Sequence, residues 1–170
     1  MEIAMKSSVA TGSDMGKTGE LLAKILVQFS LGADKAGAAM NVLHVAANLS
    51  SLEMSQLVEV GGQTFSMASN MGIGITEAAA ALVTFTKMGL NAHEAMTQFR
   101  NEVARLVQPT EKVKRILDDV KKRSGIDLAE AFSFASLKSK GLAGSFGLIR
   151  EAAIKMNVDV RTLANQLFPN

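Results

Sequence analysis

The sequence contains no cysteine, tryptophan or tyrosine, and its only prolines are Pro109 and Pro169. Without cysteine there can be no disulfide, no thiolate metal ligand and no cysteine nucleophile. Losing Tyr and Trp removes two strand-favouring residues, and the apolar set that remains, mostly Ala, Leu, Met and Val, favours helix. Neither proline falls inside a helical period. Excess charge is also lacking. With 18 basic and 16 acidic side chains the net charge is +2, too near neutral for a general attraction to nucleic acid or anionic lipid.

Long apolar runs are missing as well. The least charged stretches, 36–52 and 60–76, are interrupted by Asn, Gln, Ser and Gly and fall short of the ~20 apolar residues of a membrane span. The start, Met1-Glu-Ile-Ala-Met-Lys6, lacks the charged lead and apolar run of a secretory signal. A soluble chain is expected. Its 170 residues, 48% of them hydrophobic and 20% charged, suffice for a core and fit the size of one domain. We therefore expect a poorly defined N-terminal lead-in over 1–17, frayed or briefly helical, and a single helical domain over 18–168.

From Thr18 onward the chain resolves into short amphipathic helices bounded by start and stop signals. The first spans 19–30, with Leu22, Ile25, Leu26 and Phe29 on one face. Asp34 is placed to cap a second, to about residue 48, facing inward with Ala36, Ala39, Met40 and Leu43. Ser50-Ser-Leu-Glu53 has capping-box spacing and opens a third to about residue 70, where Gly61-Gly62 predicts a bend or a close helix contact. Thr76 is expected to cap a fourth, carrying Ala78, Ala81, Leu82, Phe85 and Met88 and stopped by Gly89. Asn91-Ala-His-Glu94 is another capping box. It starts a fifth helix to about residue 108, with Ala92, Ala95, Met96, Phe99, Val103 and Leu106 inward.

Pro109 forces a break. Thr110 begins a sixth helix with Val113, Ile116, Leu117 and Val120 inward, and Gly125 ends it. Asp127-Leu-Ala-Glu130 opens a seventh over 127–140, an eighth spans 144–156, and Asp159 caps a last one with Val160, Leu163, Ala164 and Leu167 inward. No segment alternates with period two. The predicted fold is all-α, a compact bundle of about eight or nine short capped amphipathic helices. A weak repeat is visible at an offset of 42, laying Ala36, Ala39, Met40 and Leu43 over Ala78, Ala81, Leu82 and Phe85; chance likeness of Ala-rich helices explains it equally well.

Reactive constellations are hard to find. Gly12-Ser-Asp-Met-Gly-Lys-Thr18 resembles a phosphate-binding loop, but three residues separate its glycines where four are needed, and no apolar strand precedes it. His44 and His93, the only histidines, have no partner at metal-ligand spacing on their own helix faces; His44 is expected in the core or at its edge and His93 in water. Acidic residues sit mainly in caps and first turns, where helix dipoles favour them. Over 100–123, eight basic residues face four acidic ones. Their interspersion, with no aromatic residues for stacking on bases, favours a solvated helix face over a nucleic-acid site. No catalytic, cofactor-binding or metal-binding residue is assigned, no cofactor is expected, and an enzyme is the least favoured class.

One resemblance stands out. The segment Lys87-Met-Gly-Leu-Asn-Ala-His-Glu-Ala-Met-Thr-Gln-Phe-Arg-Asn-Glu-Val-Ala-Arg-Leu-Val-Gln-Pro-Thr110 is similar to the core of phage tail tape-measure proteins. In that family an Ala-rich helix, a short turn, a capped helix and an L-x-x-P-T exit follow one another. Here residues 76–81, Met88-Gly-Leu90, Phe99-Arg100 and Leu106-Val-Gln-Pro-Thr110 supply them. Gly72-Ile-Gly-Ile-Thr-Glu-Ala78, residues 112–120, Gly125-Ile-Asp127, Lys140-Gly-Leu142 and Leu163-Ala-Asn-Gln-Leu-Phe168 extend the likeness over about residues 10–168, with departures at Met96 and 131–139.

The resemblance implies a structural protein of the virion tail, assembled in the host cytoplasm with tail-tube and tail-assembly proteins, setting tail length and leaving through the tube ahead of DNA. It implies no specific nucleic acid, and membrane contact only during ejection; self-association stays open. A continuous helix of this length would reach only about 255 Å at 1.5 Å per residue, so a globular module attached to a longer helical tape is expected. Two other readings are a helical adaptor with a groove furnished by Met40, Met54, Met67, Met71 and Met88, and a membrane-active module inserting 36–52 and 60–76.

Overall fold

A computed structural model describes residues 2–168, except the side chains of residues 4, 8, 10, 106 and 107. Every regular element among the described residues is helical: α1 (Glu2–Thr11), α2 (Met15–Gln28), a 3-10 turn (Ala33–Lys35), α3 (Ala36–Leu49), α4 (Met54–Asn70), α5 (Ile75–Lys87), α6 (Ala92–Val107), α7 (Glu111–Ser124), α8 (Leu128–Ala131), α9 (Phe134–Met156) and α10 (Val160–Leu167). The all-α expectation holds. Backbone contacts divide the chain into two compact units, residues 1–70 with 74–100 and residues 71–73 with 101–170.

In the first unit α2 packs on α1 and α4, and α3 packs on α5. Its core holds Ile25 from α2, Leu43 from α3, Leu57 and Phe65 from α4, and Leu82 from α5, all essentially without solvent access. The stripe on α2 is rotated from the expected one. Leu21, Leu22 and Ile25 are buried with Thr18, while Leu26 and Phe29 are only half-buried; the helix also begins earlier, at Met15 rather than near residue 19. On α5 the buried set is Ala78, Ala79, Leu82 and Thr86, so Ala81 and Phe85 lie at its edge and Met88 is exposed. These buried positions match Ala39, Met40 and Leu43 of α3 at an offset of 39, not 42. The helix α4 runs through the glycine pair without a break. Instead, a Cβ at Gly61 would lie 3.1 Å from a methyl of Leu21, so the missing side chain lets α2 approach α4.

Helix starts show which signals win. Asn91 Oδ1 accepts from the Glu94 amide (3.0 Å) and Glu94 Oε2 from the Asn91 amide (2.9 Å), a complete capping box. Thr110, Asp127 and Asp159 cap α7, α8 and α10 as expected. Three other assignments need correction. Asp34 lies within the 3-10 turn and caps nothing. Thr76 is inside α5, which starts after an uncapped Gly74 in extended geometry. The Ser50 to Glu53 box does not close: Ser50 Oγ takes the Leu52 amide, and the Glu53 amide goes to Gln56 Oε1 at 2.9 Å. A longer side chain one turn further on reaches the orphan donor first.

Several helix ends are set by left-handed residues. Gly89 (φ 96°) follows α5, with Leu90 N–H donating to Phe85 O and Gly89 N–H to Thr86 O at 3.3 and 3.0 Å, the paired bonds of a Schellman stop. Ser30 (φ 52°) and Asn157 (φ 54°) do the same after α2 and α9.

In the second unit α7, α8 and α10 each pack on α9, around Val120, Leu128, Leu137 and Leu163. The seventh helix, expected over 127–140, is cut at Phe132 and Ser133, and α9 bends at Gly141 (φ 70°, ψ 177°). Ser133 Oγ caps α9 by accepting from the Ser136 amide, and Ser145 Oγ donates to Ala131 O at 2.6 Å, tying α8 to α9. On α10, Leu163 and Leu167 are buried, but Val160 is exposed. The expected inward position of Leu106 lies outside the described side chains.

Candidate interaction surfaces

The loop resembling a phosphate cradle is a helix start. Gly12 (φ 67°) turns the chain out of α1, and Asp14 Oδ1 accepts from the Lys17 amide at 2.8 Å. Its carboxylate thus occupies the N-terminus of α2, where a phosphate would have to sit. The hydroxyls of Thr11, Ser13 and Thr18 bond in series, at 2.8 and 3.1 Å. The sequence pattern serves a cap.

The titratable residues are dispersed. His44 is half-buried beside Ser7 and Asn41 in a shallow depression between α1 and α3. His93 is exposed, with Nε2 3.2 Å from Glu59 Oε1 across to α4, a partner its own helix could not reveal. Among the described residues no three His, Asp or Glu side chains gather to hold a metal ion.

The basic segment is partly neutralised by its own carboxylates. Arg105 pairs with Glu102, Lys114 with Glu111 and Arg123 with Asp119, all exposed pairs, worth at most about 1 kcal/mol each. Lys121 Nζ lies 2.6 Å from Asp127 Oδ2. That hydrogen bond, helped by the Glu130 amide, holds the Asp127 carboxyl below its ordinary range, and the same bond raises the Lys121 amine. Lys112, Arg115 and Lys122 have no carboxylate partner among the described residues.

The five methionines of the adaptor reading do not converge. Met40 and Met54 are core residues, Met88 is exposed, Met67 lines a groove between α2 and α4 among mainly polar residue types, and Met71 belongs to the second unit. Nor is 60–76 one apolar helix, since α4 ends at Asn70 and α5 begins at Ile75. No helix of the described residues is long and apolar enough to cross a membrane.

Concave surfaces are present that the sequence did not reveal. In the second unit a cavity of about 340 Å³ is walled by Val113, Leu117, Leu128, Phe132, Phe134 and Leu167. Beside it, Phe132, Phe146 and Phe168 pack edge to face, with ring centroids 5.7–6.3 Å apart, which favours the cluster beyond area burial. A second groove, of about 490 Å³, runs between α7 and α10. Both are built by residues tens of positions apart.

The described residues thus form an all-helical architecture stabilised by caps and apolar packing, with concave apolar surfaces and dispersed titratable groups. Comparison with known proteins gives the family: residues 1–168 match the phage-related minor tail proteins, and the chain belongs to that family. It is therefore a phage-tail-associated helical protein. Over 113 residues, 66% of the chain, it is 26% identical to a "Tape measure protein" of Pneumococcus phage Dp-1. The chain spans about a tenth of that relative's length, since the matched region is 10% of it. No solved structure matches.

Proposed function

We propose that the chain is a helical domain of a tape-measure protein, acting in tail assembly and length determination alongside tail-tube and tail-assembly proteins. The observation that carries this reading is the 113-residue similarity to a tape-measure protein within a chain that belongs throughout residues 1–168 to a tail family. The helix breaks add a constraint. The longest helix among the described residues, α9, covers 23 residues and is itself bent at Gly141, so its straight reach is at most about 35 Å. A tail is measured by something longer, and these residues act as a folded module, here read as one domain over 18–168, attached to an extended tape.

The test is an in-frame deletion of residues 18–168 from the phage or prophage that encodes them. A module attached to the tape predicts that tail assembly or infectivity is lost, while any tails that form keep their length. Tails shortened in proportion to the deleted residues would make this segment part of the ruler and overturn the module reading. Intact, infective virions without the segment would overturn the assembly role.

A further inference from the structure

We propose that the groove between α7 and α10 is a docking site for an amphipathic helix that carries carboxylates along one flank. The inference rests on the groove itself and does not require the tape-measure reading. Its floor is apolar: Val120 and Leu163 lie at the bottom, with Ile116, Met156 and Val158 half-buried along the sides. Its volume, about 490 Å³, is within the ~300–1,000 Å³ of ordinary binding clefts. An apolar floor left partly open to water gains free energy when a partner's apolar stripe covers it.

The walls specify the partner's charge. Lys112, Arg115 and Arg123 of α7 form one wall with Asp119, and Thr162 and Gln166 of α10 form the other. Arg123 is already engaged by Asp119 at 3.3 Å. Lys112 and Arg115 are exposed, one turn apart and without a carboxylate among the described residues. A helix laid along the groove would therefore meet two free cations on one side and neutral hydroxyl and amide groups on the other. Carboxylates spaced three or four residues apart on one flank match that wall. The wall from Lys112 to Arg123 spans about 16 Å, enough for three turns of a partner.

Duplex nucleic acid fits less well. Val120, Leu163 and Val158 offer phosphates nothing, no aromatic side chain lines the groove, and the carboxylates of Asp118 and Asp119 lie on the same helix. Backbone recognition would require a continuous cationic surface.

The experiment compares two synthetic helical peptides of about 18 residues, or ~27 Å, with the same leucine stripe. One carries glutamates and the other lysines on the flanks, and each is titrated with the full chain by fluorescence anisotropy. The glutamate peptide is expected to bind at least tenfold tighter. The exposed double substitution Lys112→Glu with Arg115→Glu should invert the preference. The same charge change away from the groove, Lys87→Glu with Lys140→Glu, should leave it within twofold, and circular dichroism should report an unchanged helix content for both. Equal effects of the two double variants would reduce the preference to net charge and overturn the proposal. So would equal affinity for the two peptides, absence of binding at millimolar peptide, or displacement of the bound peptide by duplex DNA.

Discussion

Replacing Gly72 and Gly125 by alanine in turn separates two costs that usually arrive together. Both glycines lie in the second unit and both are left-handed, with φ of 76° and 74°. Forcing an L-residue into that region costs about 1–2 kcal/mol, partly offset by the ~0.4–1 kcal/mol an alanine gains by stiffening the unfolded chain. At Gly125 nothing lies within 4 Å of the added Cβ, so Gly125→Ala should lose only the net backbone cost, about 1 kcal/mol. At Gly72 the new Cβ would stand 2.7 Å from the carbonyl oxygen of Phe134 and 3.1 Å from the Lys138 amide nitrogen. Backbone atoms cannot swing aside as a side-chain tip can, so an overpacking cost of about 1–3 kcal/mol is added. Gly72→Ala should therefore lose about 2–4 kcal/mol in all.

Thermal unfolding followed at 222 nm reads the difference. For a unit of this size each kcal/mol moves the midpoint by about 4–8 °C. Gly125→Ala should fall by one such step and Gly72→Ala by two or more. Equal shifts for the two variants would refute the close approach at Gly72, and no shift in either would refute the left-handed stops.

Further outcomes follow from the caps and charges. Asn91→Ala breaks a reciprocal box and should cost about 1 kcal/mol in urea unfolding, whereas Ser50→Ala, which removes the bond from the Leu52 amide and the hydroxyl's own bond to Ala47 O but opens no reciprocal box, should cost less; the reverse order would contradict the observed capping. Ser30→Gly relieves a non-glycine residue at φ 52° and should stabilise the protein by up to about 1 kcal/mol. The depressed Asp127 carboxyl contributes stability above its unfolded value of 3.8, and that contribution disappears as pH falls through the lowered folded value. Asp127→Asn keeps a capping oxygen but loses the ion pair, so it should be less stable than the parent at pH 7 and equal to it once acid has protonated the aspartate. A deficit that persists in acid would assign the effect to the cap.

Local signals were the most legible. The Asn91 to Glu94 box, the Thr110, Asp127 and Asp159 caps and the Gly89 and Gly125 stops depend on residues within one turn, and each stands where its chemistry placed it. Signals failed where a neighbour competed. Gln56 took the amide assigned to the Ser50 to Glu53 box, and the chain entered α5 through Gly74 without a side-chain cap, two residues before Thr76. The break at Phe132 and Ser133 was missed because the ring of Phe132 is held by Phe146 and Phe168, and such long-range packing leaves no periodicity in the local sequence. The α7 to α10 groove was invisible for the same reason. Its cations were legible as a charge run, but the opposing wall lies tens of residues further along, at Thr162 and Gln166.

Left-handed stops also confine errors of register. Inserting one residue in the middle of α7 would turn everything after it by about 100° around the helix axis, swinging Val120 off its buried face. The rotation need go no further than Gly125, because α8 starts afresh from the carboxylate of Asp127. A chain punctuated this often can gain or lose residues in one segment while the alignment of the next is preserved.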